Sequence, residues 1–188
     1  MHEQINWLQS KDLLFLQFID RIWTQIHTIN AMMCLQLIFS PSIVGSSSNV
    51  PTKHAYHFFQ LLHTKRQQNL IQVCLNRVQR KLSNDTDYRQ SILEMLVNLS
   101  HHQWAMTEIF LTPGFYEYLI DRQSESEENL TNQLKFDIVR NIIKHDQFIL
   151  DDELLDQQEM DTLVAYIKQG SNYVKRKPAQ VVVAQKMK

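Results

Sequence analysis

Eight histidines are spread through the chain, and imidazole is the side chain that most readily binds metal or moves protons near neutral pH. His54 and His57 stand three residues apart in a helical pattern, a spacing that lets two imidazoles meet one ion. A complete site needs a third ligand, commonly a carboxylate, yet no Asp or Glu occurs between Asp20 and Asp85. His63 lies further along the same stretch. The reading is an exposed helix face with no metal ligand set. His101 and His102 are adjacent at a turn, where neighbouring side chains diverge, so they make no joint ligand pair.

Other reactive residue types give as little chemistry. Cys34 and Cys74 each fall inside an apolar helical stretch and form no C-x-x-C pair, which predicts two reduced thiols in place of a disulfide or zinc knuckle. The acidic run Asp151-Asp152-Glu153 lacks the glycine and spacing of a calcium loop. No G-x-S-x-G, phosphate-binding glycine loop, dinucleotide fingerprint or H-E-x-x-H is present. Ser124 and Ser126 sit among Glu125, Glu127 and Glu128, a context that acidophilic kinases favour, and the stretch reads as a solvated linker. The expectation is no enzyme, no catalytic residue, no metal and no cofactor.

Composition narrows the fold. The chain has 188 residues, 44% of them hydrophobic, with only three Gly and four Pro. That supply of turn residues is too small for a β-sandwich or a doubly wound sheet. The formal charge of −1 with mixed signs offers no basic stripe for nucleic acid. Neither a signal peptide nor an apolar run of membrane-spanning length is evident, so no membrane partner and a cytoplasmic location, with the nucleus also open, are expected.

The elements that must position any site are helices, because apolar residues recur at three- and four-residue spacing almost throughout. Ser10 is placed to cap a first helix carrying Leu13, Leu14, Leu16, Ile19 and Trp23. A second, about 28–39, is apolar on most sides and reads as buried. Residues 40–51 form a loop and 52–62 a third helix. Thr64 with Gln67 reads as a capping box for a helix reaching Leu82, and Asn84 as the cap of one over 85–100. A short helix follows at 103–111. Thr112 with Pro113 then reads as the start of the next. Thr131 opens a further helix, and Asp156 with Glu159 a last one that ends at Gly170.

Eight to ten helices joined by short turns predict an all-α chain, specifically an armadillo/HEAT-like α-solenoid over residues 1–170, followed by a basic tail at 171–188 expected to be disordered. The inner helices are expected at 64–82, 85–100 and 131–145. Trp104 is expected in the core beside Phe115 and Leu119. The polar residues opposite the apolar stripes would face a concave surface: Gln90, Glu94 and Asn98 on one helix, Asp137, Arg140, Asn141 and Lys144 on another. Of these, Glu94, Asn98, Arg140 and Lys144 are the candidate partner-binding residues.

The run Gln103-Trp104-Ala105, Phe110, Pro113-Gly114-Phe115, Glu117-Tyr118 and Asp121-Arg122 resembles the C-terminal region of the 26S proteasome non-ATPase regulatory subunit 5 family. The helix over 134–143 and the ending Tyr166, Gly170, Tyr173-Val174-Lys175 follow in the family's order. That resemblance implies a chaperone of the proteasome base, which binds the C-terminal domain of a base ATPase and leaves before the mature particle forms. It implies a monomeric α-solenoid without cofactor or catalysis. The family is longer, and this chain matches roughly its last third. The alternative is a generic armadillo-type module that binds an extended peptide through a ladder of Asn and Trp. Here Asn98 fits one rung, with no Trp beside it.

Overall fold

The structure is a computed structural model that describes residues 14–41, 50–79, 86–122 and 129–171. Ten helices and no strand occur among the described residues, so the chain is all-α as its periodicity predicts. Helix α1 covers residues 14–24. The others are α2 (Ile29–Phe39), α3 (Val50–Arg66), α4 (Leu70–Gln79), α5 (Thr86–Leu99), α6 (Gln103–Phe110), α7 (Phe115–Ile120), α8 (Asn129–Ile143), α9 (Asp146–Asp151) and α10 (Gln157–Gln169). The expected caps Ser10 and Asn84, most of the loop after Ser40, the acidic linker and the tail beyond Ser171 lie outside the described residues.

The packing follows one row. Helix α5 packs chiefly against α2 on one side and α8 on the other, and α8 packs in turn on α10. Helix α4 touches α3 and α5, α7 touches α6 and α10, and α6 also touches α9. The row differs from the expected one at its first member, where α2 takes the place given to a helix over 64–82. That stretch is interrupted. Gln67 adopts φ +52°, a left-handed conformation that ends α3, and Asn69 Oδ1 then accepts from the backbone N–H of Ile71 (2.8 Å) and Gln72 (3.3 Å) to cap α4. The expected Thr64–Gln67 capping box is therefore replaced by a break.

Helix α2 joins the row through Met32, Leu35 and Phe39, all fully buried, whereas Met33 (52% exposed) and Leu37 (62%) face outward. It is thus buried on one face only, not on most sides as its sequence suggests. One continuous apolar cluster runs from Ile19 to Tyr166 and includes Phe59, Leu70, Ile92, Leu96, Phe115, Ile138 and Leu163. Each such side chain contributes about 1.5–3 kcal/mol when removed from water. Long-range hydrogen bonds tie the first helices to it: Trp23 Nε1 donates to the Leu62 carbonyl (2.8 Å) and Tyr88 Oη to that of Ile26 (2.7 Å).

Between α6 and α7 the chain makes a type II turn. Phe115 N–H donates to the Thr112 carbonyl (3.2 Å), with Gly114 at φ 78°, ψ 4° in the position that demands a left-handed residue. Thr112 does not cap α7, because its hydroxyl donates back to the Glu108 carbonyl at 2.7 Å. The Asp156–Glu159 capping box forms as expected, at 2.7 and 2.9 Å. Gly170 has the expected positive φ (85°) but an extended ψ of 163°.

Candidate docking surface

Glu94 and Asn98 project from α5 toward α2 and are half-buried. Their partner is Gln36. Its Nε2 donates to Glu94 Oε2 (3.1 Å) and to the Ser91 carbonyl (2.9 Å), while Asn98 Nδ2 donates to the Gln36 carbonyl (2.9 Å). Gln90 donates to the other Glu94 oxygen at 2.8 Å. These residues hold α2 and α5 in register and present only part of each side chain to solvent.

Helix α8 repeats the arrangement one step along the row. Asn141 is 2% exposed, and its Nδ2 lies 3.4 Å from the Val97 carbonyl, 3.1 Å from Ser100 Oγ and 3.1 Å from His101 Nε2 at the end of α5. Its burial removes Asn141 from the outward polar row expected on this helix. Lys144 is exposed and donates to Asn141 Oδ1 at 2.8 Å. Arg140 is exposed and pairs with Asp137 at 2.7 Å, a contact of small energetic weight in solvent. The four candidate residues therefore divide: Arg140 and Lys144 are open, Glu94 and Asn98 are half-engaged in the scaffold.

Histidines cluster at this junction. Burial lowers the pKa of His101, with Lys144, His102, His145 and Arg140 acting in the same direction. Burial also lowers that of His102, opposed by its hydrogen bond to the Phe39 carbonyl (3.0 Å), where Nε2 must be the donor. His145 is lowered by burial too, against hydrogen bonds to the backbone of His101 and Ser100.

Trp104 departs from its expected place. It is half-buried, and its ring partners come from α2 and α3 and not from α7: Tyr56 (5.2 Å), Phe59 (5.3 Å) and Phe39 (6.5 Å), with His102 stacked at 5.5 Å. The turn at Pro113-Gly114 carries α7 away, so helical spacing does not continue across it. Phe115 and Leu119 are themselves fully buried.

Two cations have structural roles that the sequence reading does not assign. Lys135 is fully buried on α8. It donates to the Asp121 carbonyl and lies 4.4 Å from the Tyr118 ring centre, which offsets part of its desolvation. Arg122 donates to the carbonyls of Tyr166 and Gly170. The available signal for Lys135 was its place on the buried i, i+3, i+4 stripe with Thr131, Ile138 and Val139.

Among the described residues, no three His, Cys, Asp or Glu side chains converge as metal ligands. His54, His57 and His63 are exposed. His57 and His63 border an open hollow of about 380 Å³ with Gln60, Thr64 and Glu108. Cys34 is exposed and Cys74 buried, and burial pushes the Cys74 thiol up to about 12, slightly opposed by Arg77. No helix among the described residues is long and apolar enough to cross a membrane.

These observations define an all-α protein built on a row of packed helices, with a polar and basic face at its α5–α8 junction. The model of the proteasome non-ATPase 26S subunit family matches residues 86–187, more than half of the chain, and the chain belongs to that family. No curated protein and no solved structure matches it. Residues 86–187 include the whole of the run whose likeness to a non-ATPase proteasome subunit is legible in the sequence. Family membership gives the protein a proteasome-related role.

Proposed function

We propose that the protein is a non-catalytic chaperone or scaffold in assembly of the proteasome regulatory particle base, binding a base ATPase subunit in the cytoplasm as a monomer. The observation that carries this reading is the family match over α5 to the tail, joined to the closer resemblance of the Gln103–Lys175 region to subunit 5. The row α2–α5–α8–α10 is what an armadillo/HEAT-like solenoid would display, since each member packs on the next and leaves one face for a partner. Arg140 and Lys144 supply the open part of that face. Glu94 and Asn98 form its inner margin, fixed by Gln36. A mixed polar face of this kind suits binding that must later be reversed. The reading assigns the chain no reaction and no cofactor.

A peptide-binding ladder is the weaker reading. A ladder asparagine must offer its amide to a bound backbone, but Asn98 donates to the Gln36 carbonyl and Asn141 is buried against Ser100 and Val97. Affinity purification of the tagged protein from cells, followed by mass spectrometry, tests the proposal. Base ATPases should be enriched over an unrelated helical control. Recovery of diverse extended-peptide clients without ATPases would favour the ladder and reject the proposal.

A further inference from the structure

Hydrogen bonding at the α5–α8 junction has a direction. Lys144 donates to Asn141 Oδ1, and Asn141 Nδ2 reaches Ser100 Oγ and His101 Nε2. An amide nitrogen has only hydrogens to offer, so His101 Nε2 accepts and the neutral ring carries its proton on Nδ1. Ser100 Oγ donates in turn to the Val97 carbonyl at 2.7 Å. The acceptors of this network are thus satisfied from within.

What remains toward solvent is a set of donors. Lys144 keeps further ammonium hydrogens, and Arg140 keeps guanidinium hydrogens beyond the nitrogen paired with Asp137. His101 is exposed and offers Nδ1–H. Arg140 lies in the last turn of α8 and Lys144 immediately follows that helix. Beyond burial, the charges that lower the His101 pKa come from Lys144, His102, His145 and Arg140, and the nearby carboxylate of Asp137 is already paired with Arg140 at 2.7 Å.

We infer that this corner receives an acidic segment of a partner protein, whose Asp or Glu carboxylates pair with Arg140 and Lys144 and accept from His101. The inference rests on the docking role proposed above and adds the chemistry of the partner. A carboxylate matches the guanidinium fork and is an acceptor for ammonium and imidazole N–H groups alike. Exposed charge pairs steer association and fix register more than they hold, which fits a partner that is released.

The test titrates the full chain with a glutamate-rich peptide and follows the His101 ring C2 proton by NMR. A lysine-rich peptide and inorganic phosphate serve as comparisons. A saturable, salt-sensitive shift with the acidic peptide alone is expected, with the His101 titration moving upward as a carboxylate approaches. The double variant R140E/K144E should bind about tenfold more weakly or worse, with helicity by circular dichroism unchanged. Should charge reversal disturb folding, R140Q/K144Q supplies the comparison, with a smaller loss expected. An unmoved His101 signal, an equal response to phosphate, or equal binding by a folded charge variant overturns the inference. Capture of base ATPases by a chain indifferent to the peptide would reject this inference alone. Peptide binding at His101 without ATPase capture would reject the chaperone role and leave the carboxylate site standing.

Discussion

The Arg122 guanidinium lies 3.8 Å from the centre of the Tyr166 ring and donates to the Tyr166 and Gly170 carbonyls at 2.6 and 2.8 Å. One side chain at the end of α7 thereby satisfies carbonyls that the last turn of α10 leaves without helical partners. The same contact stacks a planar cation on an aromatic face. Arg122→Ala should cost about 2–3 kcal/mol in urea unfolding. Arg122→Lys should recover less than half, because an ammonium cannot bridge two carbonyls and stack at once. Hydrogen exchange should localise the loosening to the end of α10. A wild-type midpoint for Arg122→Ala would show that the contact carries no stability.

Trp104 tests whether ring packing or hydrogen bonding holds α6 to α2 and α3. Its indole Nε1 is buried with no hydrogen-bond partner among the described residues, while its ring meets three other aromatic rings and His102. Trp104→Phe should therefore change stability by less than about 1 kcal/mol, the lost area being offset by removal of an unsatisfied donor. Trp104→Ala should cost about 3 kcal/mol. Thermal unfolding of the two variants decides. Equal losses in both would mean that the N–H has a partner after all.

The two cysteines should differ in reactivity. A thiol attacks as thiolate, and Cys74 is both buried and pushed up to about 12, whereas Cys34 is exposed. Iodoacetamide at neutral pH should modify Cys34 alone in the native protein and both residues in denaturant. Peptide mapping reads the outcome, and rapid native labelling of Cys74 would contradict the packing of α4.

Acid should weaken the fold through the imidazoles at the α5–α8 junction. His101, His102 and His145 are all held below the ordinary value in the folded chain. Well above about pH 6.5 both folded and unfolded forms are neutral and these residues contribute no slope. As pH falls through that value the unfolded chain takes up protons that the folded chain resists, so stability declines. The melting temperature should drop between about pH 7 and pH 5.5. His102→Gln can keep a donor to the Phe39 carbonyl and should flatten the decline. A melting temperature that rises over this interval would contradict the sign.

Much of this architecture is readable from apolar spacing alone, because α5 and α8 each carry a single buried stripe, and the Asp156–Glu159 box is a local hydrogen-bond pattern. What spacing could not supply was the order of packing. Nothing local in Met32, Leu35 and Phe39 says that α2, more than α4, is the main neighbour of α5. A capping pattern at Thr64–Gln67 also competes with a better cap at Asn69, and Gln67 ends the helix in a left-handed conformation that non-glycine residues seldom adopt. The candidate site was half legible. Arg140 and Lys144 are open as their helix position implies, but the engagement of Glu94 and Asn98 depends on Gln36, 58 and 62 residues away in the chain. Lys135 was hidden for the opposite reason, since its charge argues for solvent while its register places it inside.

The central claim is that the protein accompanies base ATPases during assembly and is absent from the finished particle. Cell extract separated by size on a gradient, then probed for this chain and for the base ATPases, measures that directly. The account predicts co-migration with ATPase-containing precursors smaller than the 26S particle, and none of the chain in the 26S fractions. Stoichiometric presence in the 26S particle, or migration apart from every ATPase, would contradict it.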